Sequence, residues 1–224
     1  MDVRTIVNSL IDDIANGTSV SQILLKAQII AYNIGDKKFS NLIKCEQQGY
    51  SPNDEIPDYR KLKTIVKANF ADSFGNSQIV EVHTEAVDDI KIRDLLTFVE
   101  ARDPLVQVET MYKNAESEMV RVALPVFAYP IIKGLYKDNV WNVYSAYHCF
   151  PKESLLTVVE IFKAKLLDSL LQFNDKLDWN MELTADKNKN MAKAIINNVY
   201  NINAAIANTG DGTVETQDIT LTKE

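Results

Sequence analysis

The sequence predicts an α+β domain in which an N-terminal three-helix unit packs on a small antiparallel sheet, followed by a long C-terminal helix and a β-prone tail. Three changes of pattern predict it. Apolar residues recur at three- and four-residue steps up to residue 49, alternate at period two between residues 61 and 84, and return to helical spacing after residue 152. At 224 residues the chain is long enough to bury a sizeable core.

Val3, Ile6, Val7, Leu10, Ile11 and Ile14 share one helical face, which Asn16-Gly17 terminates. Ser19 with Gln22 makes a capping-box pattern ahead of Ile23, Leu24, Ala27, Ile30, Ala31 and Ile34, and Gly35 supplies a left-handed stop. Asp36 caps a third helix carrying Phe39, Leu42, Ile43 and Glu46, and Gly49 ends it. Connections this short make the helices antiparallel neighbours, so residues 2–49 form the helical unit.

After Pro57-Asp58, Leu62, Thr64, Val66, Ala68 and Phe70 alternate with polar residues as a strand; Asp72 to Ser77 turns the chain, and Gln78 to Thr84 returns as the second arm of a hairpin. Asp88 or Asp89 opens a helix through Leu95, Leu96 and Val99. Asp103-Pro104 opens another through Val108, Met111 and Tyr112. Met119 to Leu124 reads as a strand, Ile131 to Leu135 as a short helix, and the aromatic, β-branched run Val140–Phe150 as a further strand that Pro151 stops. Lys152 to about Leu183 is the strongest helical pattern in the chain, with Leu155, Leu156, Val159, Phe162, Leu166, Leu170, Phe173 and Leu177 on its apolar face. Residues 1–184 are therefore expected to form the domain, with 59–183 as its mixed part. Residues 185–224 are expected to form an asparagine-rich tail, either disordered or strand-forming and adhesive, because asparagine ladders and unpaired edges favour strand-on-strand assembly.

A formal charge of −7 argues against broad, sequence-blind nucleic-acid binding. Cys45 and Cys149 stand far apart with no ligand partner at metal spacing, which predicts free, buried thiols in a reducing compartment. Acidic residues interrupt the apolar positions of the amino terminus, and no window approaches the roughly 18 apolar residues that span a bilayer, so no membrane association and a cytoplasmic location are expected. Phosphate-loop, dinucleotide, zinc-protease and nucleophile-elbow motifs do not occur, and neither cofactor nor metal is expected. His148 and Cys149 are adjacent in a strand and so face opposite sides, which disfavours a cysteine–histidine nucleophile.

The chemistry-bearing residues crowd into one turn, Cys45 to Lys61. Glu46, Tyr50, Asp58, Tyr59 and Arg60 are the candidate binding or structural junction residues. Arg60 can pair in two-point fashion with Asp58, Glu46 or a ligand anion, or it can tie down the loop while the two tyrosines pack helices onto sheet. No catalytic residue is assigned. A metal-dependent nuclease centre drawing on Asp12, Asp13, Glu46, Asp54, Glu55 and Asp58 is the enzymatic alternative.

Glu46, Gly49-Tyr50, and Pro57, Tyr59 and Arg60, with the hairpin and the late Val158–Phe173 helix, resemble the AbiTii domain of bacterial abortive-infection proteins over residues 2–183. Ile56 stands where the family pattern has leucine, and the hairpin turn has only Gly75 where two glycines are typical. The resemblance implies a role in defence against phage as sensor, effector or adaptor, and supplies no catalytic residues. The expected function is that of a non-enzymatic interaction module with a protein partner or with self-association through the tail. A nuclease toxin and a purely structural subunit are the alternatives.

Overall fold

Helix α1 (Val3–Ala15) begins the chain, and α2 (Val20–Ile34) and α3 (Lys37–Gln48) follow it with only a few residues between them. The computed structural model describes residues 3–136, 141–181 and 185–200. Gly35 closes α2 in the left-handed region at φ +63°, its N–H bonding to the Ala31 and Tyr32 carbonyls, and Asp36 then caps α3 through the amides of Lys38 and Phe39.

After the one-turn 3-10 helix Asp58–Arg60 come β1 (Lys61–Lys63), β2 (Ile65–Ala71), β3 (Ser77–Val82), α4 (Ile90–Thr97), β4 (Phe98–Glu100), α5 (Leu105–Asn114), β5 (Met119–Ala123), α6 (Ala128–Gly134), β6 (Asn142–Pro151), α7 (Glu153–Lys176) and α8 (Asp186–Tyr200). The strands form a four-stranded antiparallel sheet in the order β3-β2-β6-β5 and a two-stranded antiparallel ribbon of β1 with β4. The expected strand through residues 62–70 is therefore two strands of different sheets. It breaks at Thr64, whose N–H and hydroxyl both reach the Thr97 carbonyl, at 2.8 and 3.1 Å, while the hydroxyl also meets His148 Nδ1 at 2.7 Å. The alternation nonetheless marks the buried side correctly, since Leu62, Val66, Ala68 and Phe70 are all buried.

Among the described residues two large apolar cores result, with a small third cluster of Cys45, Tyr50 and Ile56. The larger gathers the inner faces of α1, α2, α3, α5, α7 and α8, and reaches the strands through Leu62 and Phe150. Phe39, Phe162 and Phe173 are almost wholly buried in it, each worth about 1.5–3 kcal/mol of transfer free energy. The smaller core fills one face of the four-stranded sheet, where α4 and α6 lie over Val66, Ala68, Phe70 and Ala146. The helical unit thus packs chiefly against α5, α7 and α8.

The carboxy-terminal expectation needs correction. Helix α7 stops at Lys176, earlier than residue 183, because Leu177 turns extended and Asn188 holds the following chain, accepting from Asp178 N–H at 3.0 Å and donating to the Asp178 carbonyl at 2.8 Å. Residues 186–200, expected in the β-prone or disordered tail, form α8 instead, with Ala192, Ile195 and Ile196 buried in the larger core. The stripe Ala192, Ile195, Ile196, Val199 has helical spacing, and the asparagine content obscured it. The expected turn at 209–212 and strand at 213–222 lie outside the described residues.

Candidate functional site

Register along α3 aims Glu46 inward. Phe39, Ile43 and Glu46 succeed one another on the buried face, so the carboxylate arrives where an apolar residue would otherwise sit. Glu46 and Arg60 are both fully buried. Arg60 Nη2 donates to Glu46 Oε2 and Arg60 Nε to Oε1 at 3.3 Å, the planar two-point pairing expected of a guanidinium. Oε1 also accepts the hydroxyls of Tyr50 at 2.6 Å and Tyr59 at 2.8 Å. Arg60 Nη1 donates to the carbonyls of Ala101 and Asp103, at 2.8 and 2.7 Å, and the guanidinium lies 5.2 Å from the Tyr50 ring centroid.

The backbone around this cluster is tied in the same places. Tyr50 N–H donates to the Arg102 carbonyl at 2.7 Å, and Ala101 N–H to the Arg60 carbonyl at 2.8 Å. Gly49 has φ +88°, and a Cβ there would lie 2.9 Å from the Arg102 carbonyl oxygen and 3.2 Å from Pro104 Cδ. Its bare backbone is what lets α3 end against residues 102–104. Three segments of the chain meet around one buried carboxylate–guanidinium pair: the end of α3, the 57–60 turn and the 101–103 loop, whose carbonyls accept from Arg60.

The electrostatics follow from burial. Burial, and next the Glu46 charge, push the Tyr50 and Tyr59 phenols far above their ordinary range, so both stay protonated and donate. For Arg60 burial works against the charge, but Glu46 more than offsets it and holds the guanidinium above its ordinary value. Burial of two unpaired ions would cost several kcal/mol each; here paired charges and saturated hydrogen bonds offset most of it. The Glu46 and Arg60 side chains themselves have no face open to a substrate.

Asp58, the remaining candidate, is not part of the cluster. Its side chain is exposed and pairs with Lys61 at 3.0 Å. The carboxylates considered for a nuclease are likewise dispersed: Asp13 meets Lys26 at 2.5 Å, Asp54 accepts the Ser51 N–H at 2.7 Å, and Asp12 and Glu55 are exposed. Among the described residues, no group of three His, Cys, Asp or Glu side chains is arranged to hold a metal ion. His83 is exposed, and Cys45 and Cys149 are buried free thiols. His148 is buried against Thr64, and burial lowers its pKa below the ordinary value.

Sequence reasoning missed the acceptor half of the junction. The Ala101, Arg102 and Asp103 carbonyls are backbone groups some forty residues from Arg60, and no side-chain pattern marks them. It also missed Tyr200 at the end of α8, whose hydroxyl is buried without a hydrogen-bond partner and whose pKa burial and the Glu46 charge raise.

Fold and site together define a class: a helix-rich α+β domain whose helical and strand-bearing parts are locked by a buried, tyrosine-flanked carboxylate–guanidinium pair. The family model AbiTii matches residues 5–199, and the chain belongs to the AbiTii family. That places it among abortive-infection, anti-phage defence proteins. The match takes in α8, in keeping with its place in the core. No curated protein and no solved structure matches the chain.

Proposed function

We propose that the protein acts in phage defence, in the cytoplasm, as a sensor or adaptor that meets a protein partner through the open face of its four-stranded sheet. The observation that carries this reading is the composition of that face. Lys67 lies between Glu81 and Tyr147, and Asn69 between Ile79 and Ser145, with Ile65 and Arg121 flanking Cys149. Ile79 is 62% and Ile65 40% exposed, and the Arg121 guanidinium stands 5.0 Å from the Tyr147 ring centroid. Apolar, aromatic and arginine side chains together are the mixture enriched where proteins meet. On this reading the Glu46–Arg60 junction is a brace that keeps the helical part and the strands in fixed relation.

The nuclease alternative has less support, because each carboxylate it would recruit is committed elsewhere or stands alone on the surface. No described helix is long and apolar enough to cross a membrane. Self-association through residues 201–224 remains part of the proposal on sequence grounds alone.

Phage plaquing with an Ile79→Glu/Tyr147→Ala double variant tests the face. Loss of protection with an unchanged melting temperature is expected; full protection by the folded variant would sink the proposal. Truncation after Tyr200, which spares α8, tests the tail by light scattering. A smaller assembly is expected, and an unchanged mass removes the tail from the reading.

A further inference from the structure

Helix α3 carries a second, outward stripe. Lys37, Ser40, Asn41 and Lys44 recur at i, i+3, i+4 and i+7, on the side opposite Phe39, Ile43 and Glu46. With Tyr32 and the Gly35-Asp36 turn they line an open cavity of about 400 Å3, within the size range of small-molecule sites.

Its charge is unusual for this chain. Lys37 and Lys44 line it, and Lys189 of α8 reaches its lip, where a Cβ on Gly35 would lie 3.1 Å from the ammonium nitrogen. None of the three lysines has a carboxylate partner among the described residues. The one carboxylate of the lining, Asp36, spends Oδ1 on the amides of Lys38 and Phe39, at 2.9 Å each. A protein of net charge −7 therefore sets three ammonium groups against one carboxylate at one concavity, and the resulting net positive potential attracts an anion. Lys37 and Lys44 start about 10 Å apart along the helix, and their flexible stems allow the ammonium groups to close on one phosphate group or to span two.

The rim supplies a different chemistry. Tyr32 is 84% exposed, which leaves its ring free to stack on a planar ring. Asn41 can donate and accept beside it. We infer that this groove binds a phosphorylated nucleotide, with the lysines on phosphate and Tyr32 against the base. Free nucleotides and the phosphorylated end of a strand share that chemistry. The inference is independent of the sheet-face reading, which concerns another surface.

Isothermal titration of the full chain with AMP, ATP, ribose 5-phosphate and a 5′-phosphorylated oligonucleotide tests it, with melting temperatures to certify folding. Saturable one-to-one binding of AMP or ATP is expected. Lys44→Glu is expected to weaken it by about tenfold or more, the loss of one charge-assisted contact turned repulsive. Tyr32→Ala is expected to weaken AMP by about fivefold while leaving ribose 5-phosphate unchanged, the size of one stacking contact. Tighter binding of the oligonucleotide than of AMP assigns the ligand to a strand end, and the reverse order to the free nucleotide. No saturation at millimolar ligand, binding indifferent to Lys44→Glu and Lys189→Glu, or an AMP affinity untouched by Tyr32→Ala would each overturn the inference.

Discussion

The two long faces of α3 handle charge in opposite ways. On the inner face Glu46 is wholly buried and meets Arg60, Tyr50 and Tyr59; on the outer face, only two residues earlier, Lys44 stands exposed without an ion-pair partner. Burial is what separates them. An ion withdrawn from water has to be neutralised within the molecule, whereas an ion at the surface can keep its field for something outside. On the proposed reading, the inner face holds the fold together and the outer face meets a ligand.

The largest expected effect lies on the inner face. Glu46→Ala leaves Arg60 buried beside two phenols with no acceptor, and unfolding by denaturant should show a loss of about 3–5 kcal/mol. That is a large share of a domain's typical 5–15 kcal/mol. A loss below about 1 kcal/mol would mean that the pair behaves like a surface bridge, and the contrast between the faces would fail.

Alkaline titration sharpens the comparison without a substitution. The folded-state pKa of Tyr50 and Tyr59 lies above their ordinary value of 10.0, so their contribution is fully present below pH 10 and is lost as pH rises further. Above pH 10, stability should fall by about 1.4 kcal/mol per pH unit for each such tyrosine. Tyr50→Phe should flatten that slope, and an unaltered slope would remove Tyr50 from the linkage.

The smallest effects belong to the exposed charges. Lys44→Ala on the outer face, and Asp58→Ala in the turn beside Arg60, should leave the urea midpoint where it was. A clear shift from Asp58→Ala would show that the turn is braced from outside as well as from within.

What the sequence disclosed follows the range of the forces involved. Helices α1, α2 and α3 were legible to within a residue or two, because Gly17, Gly35, Asp36 and Gly49 act on neighbouring residues. The hairpin β2–β3 and strand β6 were legible for the same reason, their alternation being local. The ribbon of β1 with β4 was not, since a three-residue strand is too short to show a period and its partner lies nearly forty residues away. Helix α8 carried a readable stripe inside a composition that argued against it, and tertiary burial of Ile195 and Ile196 decides the matter. Glu46 and Arg60 were both recognised as candidates, and their mutual pairing was one of several options. Only the packed structure excludes Asp58 from the cluster and adds the carbonyls of Ala101 and Asp103.

Gly49 has a consequence for how the chain can vary. Every other amino acid carries the Cβ atom that would strike the Arg102 carbonyl, so the position has an alphabet of one letter. Tyr50, three backbone atoms on, is pinned to the same carbonyl by its own amide. The glycine-tyrosine pair that made the family recognisable is thus a steric signature: it marks a place where two stretches of main chain touch with no side chain between them.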